Sequence, residues 1–156
     1  GQGARALVIG GGVAGMNAAL GLGNQGFEVV LVEKEAELGG LANRLTATIE
    51  GAKINDYLSD LIPKITNHSK IKVLTNALIV GFSGFKGNFT TEILLGPEMV
   101  QRKIEHGVVI LATGAHEYQP KEFFYGQDDR VMTQLELADR MKQDQIGDPQ
   151  DPRRLA

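Results

Sequence analysis

Six residues near the amino terminus, Gly10-Gly11-Gly12-Val13-Ala14-Gly15, place glycine at the first, third and sixth positions. That spacing suits one task, bringing backbone close to a pyrophosphate. Gly10 permits a tight turn, Gly12 clears room for the phosphates, and Gly15 lets a helix lie against a strand. The phosphates would then meet free N–H groups at the positive end of the helix dipole. In a chain with 20 glycines the pattern alone is weak, so its context decides. It follows the apolar run Ala4 to Ile9, typical of a buried parallel strand. It opens a helix over Val13 to Gln25 with small residues on one face, so a dinucleotide site is predicted, with Val13 and Ala14 in its lining.

Glu33 ends a second β-branched run, Phe27 to Val32, about where the fingerprint expects an acid. A carboxylate there can accept both hydroxyls of an adenosine ribose and would repel a 2′-phosphate, which argues against NADP. Lys34 reads as a solvated neighbour of that carboxylate and is carried in the same candidate set. His68, His106 and His116 lack metal-like spacing. His68 reads as a helix-end or loop residue, and His106 as a turn residue before the last parallel strand. Arg44 reads as a solvated loop arginine, and Phe123, Phe124 and Tyr125 as core or inter-domain packing. No carboxylate pair or serine–histidine arrangement supports a hydrolase.

The elements that must position these residues follow from periodicity. A helix is expected from a cap at Asn55 or Asp56, with Leu58, Leu61, Ile62 and Ile65 on its apolar face and Pro63 kinking it or costing a hydrogen bond. Ile71 to Leu74 should be a third parallel strand. Ala77 to Phe82, Asn88 to Leu95 and Met99 to Ile104 should form an antiparallel meander, followed by a buried strand from Val108 to Ala112. Thr133-Gln134-Leu135-Glu136 is a capping box, with Met132 and Leu137 as its staple. The expected whole is an α/β, Rossmann-like domain over 1–141, with a meander on one side of a central parallel sheet and helices on the other. A polar, frayed tail is expected over 142–156, and the abrupt start at a core strand suggests a piece of a longer protein.

Composition narrows the chemistry. The formal charge of −3 gives no basic footprint for nucleic acid. No run is long and apolar enough to span a bilayer, so no membrane insertion is expected and the cytoplasm is the default compartment. The chain has no cysteine, which removes disulfides, thiolate-held iron–sulfur clusters and redox dithiols from it. Electron chemistry would need a bound organic cofactor.

Three further features resemble the glutathione-reductase-like flavoprotein superfamily: Leu38-Gly39-Gly40 after Glu33, a meander in place of a crossover helix, and Ala112-Thr113-Gly114 closing the apolar strand Val108 to Leu111. The resemblance implies FAD rather than NAD. It completes a cofactor-binding set of Gly10, Gly12, Val13, Ala14, Gly15, Glu33, Lys34, Gly39, Gly40, Ile79, Ala112, Thr113 and Gly114, with no catalytic or metal residue. Over about Ala6 to Met141, runs such as Val30-Leu31-Val32-Glu33-Lys34-Glu35, Gly84-Phe85-Lys86-Gly87-Asn88-Phe89, Glu105-His106-Gly107 and Val131-Met132-Thr133-Gln134-Leu135-Glu136-Leu137 are similar to the A-type subunits of heterodisulfide reductase. They also suit the related subunit of the quinone-interacting oxidoreductase complex.

That likeness implies an FAD-dependent oxidoreductase that relays or bifurcates electrons to partner redox subunits, with iron–sulfur clusters elsewhere in the parent protein. Leu41 to Leu45 stand where disulfide reductases place reactive cysteines, and Gly147-Asp148 lacks the strand of the late flavin motif. A self-contained NAD(P)H-dependent flavin reductase and a non-enzymatic dinucleotide-binding module are the alternatives.

Overall fold

The computed structural model describes residues 5–40, 49–112 and 130–143. The elements run β1 (Arg5–Ile9), α1 (Val13–Asn24), β2 (Glu28–Val32), α2 (Ile49–Thr66), β3 (Ile71–Leu74), β4 (Ala77–Phe85), β5 (Asn88–Leu95), β6 (Val100–His106), β7 (Val108–Leu111), β8 (Val131–Thr133) and α3 (Gln134–Lys142). Five strands form a parallel sheet in the order β3-β2-β1-β7-β8, and β4-β5-β6 form a separate antiparallel sheet.

The parallel strands are continuous apolar runs because both faces are covered. Alternation divides their side chains between two cores. Ala6, Val8, Val29, Leu31, Val108 and Ile110 face the helices, meeting Met16, Ala19 and Leu22 of α1, Leu58, Leu61 and Ile65 of α2, and Leu137 of α3. Leu7, Ile9, Val30, Val32, Val109 and Leu111 face the meander, meeting Ala77, Phe89, Ile93 and Ile104. The expected layering is therefore the observed one.

Several boundaries differ from the sequence expectation. The helix expected to begin at Asn55 or Asp56 begins at Ile49, so those residues lie inside it. Ile54 already packs on the helix-side core, so the apolar stripe starts before the supposed cap. The helix continues through Pro63, whose missing N–H leaves the Ser59 carbonyl without its usual donor. Both residues are exposed, so water can serve that carbonyl. The meander strands β4 and β6 run further than expected, to Phe85 and His106.

β8 was not expected as a strand. It adds three residues to the sheet edge and delivers Thr133, whose Oγ1 accepts from the Glu136 N–H while the Glu136 carboxylate accepts from the Thr133 N–H. The staple residues Met132 and Leu137 share one core.

Candidate functional site

β1 ends against β2, with the Gly10 N–H donating to the Val32 carbonyl at 2.8 Å. The chain then reverses through Gly10 at φ 112°, where an L side chain is strained. α1 begins at once, capped by Gly12 in extended conformation with no side-chain cap. Its first-turn N–H groups therefore have no intrahelical acceptor and no capping side chain. The glycines differ in what a Cβ would meet. At Gly15 it would overlap the Gly10 carbonyl oxygen and sit 2.8 Å from that carbonyl carbon, whereas at Gly12 nothing lies within 4 Å. Gly15 thus serves helix packing, and Gly12 faces open space.

Glu33 lies just beyond β2 and is 7% exposed. Its carboxylate accepts from the Gly11 N–H at 2.8 Å and the Glu35 N–H at 2.6 Å, tying the glycine turn to the loop after β2. A Cβ on Gly11 would press on Leu38 Cδ2 at 2.7 Å and Glu33 Cβ at 2.9 Å. Gly11 is therefore more crowded than the fingerprint Gly12, although it occupies a free position of the pattern. Nothing in the sequence singled it out.

Leu38-Gly39-Gly40 returns to the same turn. The Gly39 N–H donates to the Gly11 carbonyl at 2.8 Å, and a Cβ on Gly40 would lie 3.7 Å from the Gly12 Cα. On the other side, the Ala112 N–H donates to the Ile9 carbonyl, and the Ala112 Cβ would lie 3.3 Å from a Cβ on Gly15. The structure therefore brings Gly10 to Gly15, Glu33, Gly39, Gly40 and Ala112 to the carboxyl ends of β1, β2 and β7. That is where open α/β sheets bind ligands.

The Ala77 N–H donates to the Glu33 carbonyl, which starts β4 beside the site. Ile79, two residues on, is half-buried against the meander-side core. Lys34 is exposed. Thr113, Gly114, Arg44, His116, Phe123 to Tyr125 and Gly147-Asp148 lie outside the described residues.

Two histidines are structural in setting. The His68 Nδ1 accepts from the Lys70 N–H, so its Nε2–H donates to Asn24 Oδ1 at 2.9 Å. His106 is not the turn residue expected but the end of β6, 1% exposed and beside the Phe82 and Phe89 rings. The Val108 carbonyl can only accept, so the His106 Nδ1–H donates to it at 3.3 Å and Nε2 accepts from Thr91 Oγ1 at 2.7 Å. Burial pulls the imidazole down from 6.5 to about 4, with the Val108 hydrogen bond opposing and nearby Arg5 adding to the fall. Among the described residues, no group of three or more histidines and carboxylates could hold a metal.

Parallel sheet, glycine turn and strand-end acid define a Rossmann-like nucleotide-binding domain. The chain belongs to the pyridine nucleotide-disulphide oxidoreductase family, whose model matches residues 4–155. It is 41% identical over 126 residues to the second iron-sulfur A protein of the CoB–CoM heterodisulfide reductase of Methanopyrus kandleri, covering 78% of this chain and 19% of that protein. It is 38% identical over 135 residues to the corresponding iron-sulfur A protein of Methanocaldococcus jannaschii, covering 85% of this chain and 20% of that protein. The chain thus spans about a fifth of the length of these relatives. Among solved structures, it resembles L-proline dehydrogenase from P. horikoshii, with TM-score 0.60 and 28% identity over 70% of this chain and 23% of that one. No helix among the described residues is long and apolar enough to cross a membrane.

The Glu33 carboxylate, which accepts from two backbone N–H groups, sets a first test. If Glu33 also holds the ribose of a bound FAD, Glu33→Ala should weaken FAD binding by about 1–3 kcal/mol, the scale of hydrogen bonds to a charged group. It should also lower stability by a similar amount, because two backbone donors lose a buried acceptor. Calorimetry and urea unfolding on the same variant separate the two effects. Unchanged stability would mean that the Gly11 and Glu35 bonds do not hold the turn.

Proposed function

We propose that this chain is the FAD-binding domain of a heterodisulfide-reductase-like oxidoreductase subunit, which relays or bifurcates electrons through FAD to partner redox subunits of a cytoplasmic complex. The observation that carries the reading is the convergence on one turn of uncapped helix N–H groups, open space at Gly12 and the Glu33 carboxylate. These features suit the adenosine diphosphate half of FAD. The first turn of α1, with Gly12, Val13, Ala14 and Gly15, would face the pyrophosphate. Glu33 retains lone pairs for ribose hydroxyls, since each oxygen accepts one backbone N–H. Gly39 and Gly40 would hold the loop close to the phosphates, with Lys34, Ile79 and Ala112-Thr113-Gly114 completing the surroundings.

FAD would supply the redox chemistry, and the chain would bind it, orient it and exclude the 2′-phosphate of NADP. With no cysteine in its 156 residues, the chain offers no thiol relay of its own, so onward transfer would fall to iron–sulfur centres or subunits outside it. The heterodisulfide reductase names of the relatives support such an assembly. Calorimetric titration with FAD, ADP, NAD and NADP tests the cofactor. FAD should bind tightest and ADP should retain part of its affinity, while NADP binding as well as FAD would overturn the assignment.

A further inference from the structure

A cleft of about 520 Å³ runs along β3, from Lys70 before it to Leu74 at its carboxyl end, with β3 and the start of β2 on one wall and β6 on the other. Val30, Leu74 and Ile104, all packed on the meander-side core, contribute apolar surface to it. Lys72 pairs in register with Val30 and stands two residues before Leu74. Arg102 stands two residues before Ile104. Alternation therefore puts both cations on the inward-facing sides of the two walls, where packed sheets normally meet through apolar side chains.

Lys70 stands at the same mouth. Glu28, the one acid in the lining, is already paired with Arg5 at 3.3 Å, and Lys103 pairs with Glu92 at 3.5 Å. Lys70, Lys72 and Arg102 have no carboxylate partner among the described residues. Three like charges with apolar surface between them are complementary to an amphiphilic anion.

We propose that this cleft binds a small organic phosphate, its anionic group at Lys70, Lys72 and Arg102 and its apolar body against Val30, Leu74 and Ile104. No residue of the glycine turn lines the cleft, although its lining residue Leu74 ends β3 and accepts from the Glu33 N–H through its carbonyl. The volume falls in the range of small-ligand sites, roughly 300–1,000 Å³. Inward charges on edge strands also discourage edge-to-edge pairing. A charge reversal distinguishes that role, because glutamate protects an edge equally well yet repels an anion.

The experiment is amide chemical-shift mapping of the FAD-saturated protein with phenyl phosphate as probe. Saturable shifts are expected at Lys70 to Lys72 and Arg102 to Ile104, with the Gly10 to Gly15 amides unmoved. Inorganic phosphate should bind at least about tenfold more weakly, since it lacks the buried ring. The double variant Lys72→Glu/Arg102→Glu should abolish the shifts while keeping the melting temperature and FAD affinity of the parent. The milder Lys72→Gln/Arg102→Gln should weaken binding without abolishing it. Absent shifts in the cleft, equal binding of the two phosphates, or unchanged binding by the reversed variant would each overturn the proposal.

Discussion

Replacing Gly15 with alanine should destabilise the protein by about 3 kcal/mol or more, at or beyond the upper end of ordinary overpacking. The added methyl would overlap the Gly10 carbonyl oxygen, part of a turn fixed at both ends. Gly10 is held to β2 through the Val32 carbonyl, and the following Gly11 is held by Glu33. Relief would require α1 to lift from β1, separating Met16, Ala19 and Leu22 from the helix-side core.

Gly12→Ala should behave in the opposite way. The backbone there is extended at φ −76° and a Cβ meets nothing within 4 Å, so stability should change by less than about 0.5 kcal/mol, as for an unstrained surface site. The methyl would instead occupy the approach to the pyrophosphate, and FAD affinity should fall at least about tenfold, or about 1.4 kcal/mol. Urea unfolding and calorimetry on both variants give a crossed result. If Gly12→Ala lost stability while keeping FAD, the phosphates could not lie where the turn suggests.

The same contrast marks what the sequence could convey. Spacing named Gly12 and Gly15 together, yet only coordinates separate a glycine needed for packing from one that faces open space. Gly11 was invisible because its constraint comes from Leu38 and Glu33, more than 20 residues away. The second duty of Glu33 was hidden for a related reason: its partners are backbone N–H groups, which every residue except proline carries. Pattern conveyed the two-faced sheet well, since the continuous apolar runs of β1, β2 and β7 require cover on both faces and the spacing of Leu58, Leu61 and Ile65 marks a helix face that supplies it. It failed at the start of α2, where Asn55 and Asp56 suggested a cap although they lie within a helix already under way. It failed again at β8, where three residues are too few to show a period. For His106 the signal was present. Counting by two from Ile104 puts it on the buried face of β6, but the Gly107 that follows suggested a turn.

That buried position gives His106 the largest pH effect expected among the described residues. Its imidazole titrates near 6.5 when unfolded and at about 4 when folded. Between those values the unfolded chain binds more protons, so stability falls as the solution is acidified. The contribution is intact above pH 6.5 and is lost progressively as pH falls towards about 4, a total of about 3 kcal/mol at 1.36 kcal/mol per unit. Protonation would put a hydrogen on Nε2, which now accepts from Thr91, and would charge a ring enclosed by Phe82 and Phe89. Arg5 adds repulsion from the neighbouring strand.

The damage would reach the candidate site, because His106 joins β5 to the start of β7, and β7 leads to Ala112 beside Gly15. Urea midpoints at pH 7.5, 6 and 5 should fall steadily for the parent protein and less steeply for His106→Gln, which keeps a polar side chain but cannot titrate. Proton resonances of the imidazole should show no titration above about pH 5, given its depressed value. An ordinary titration near 6.5, or an equal slope in the variant, would show that His106 does not couple the meander to the sheet in the neutral form described.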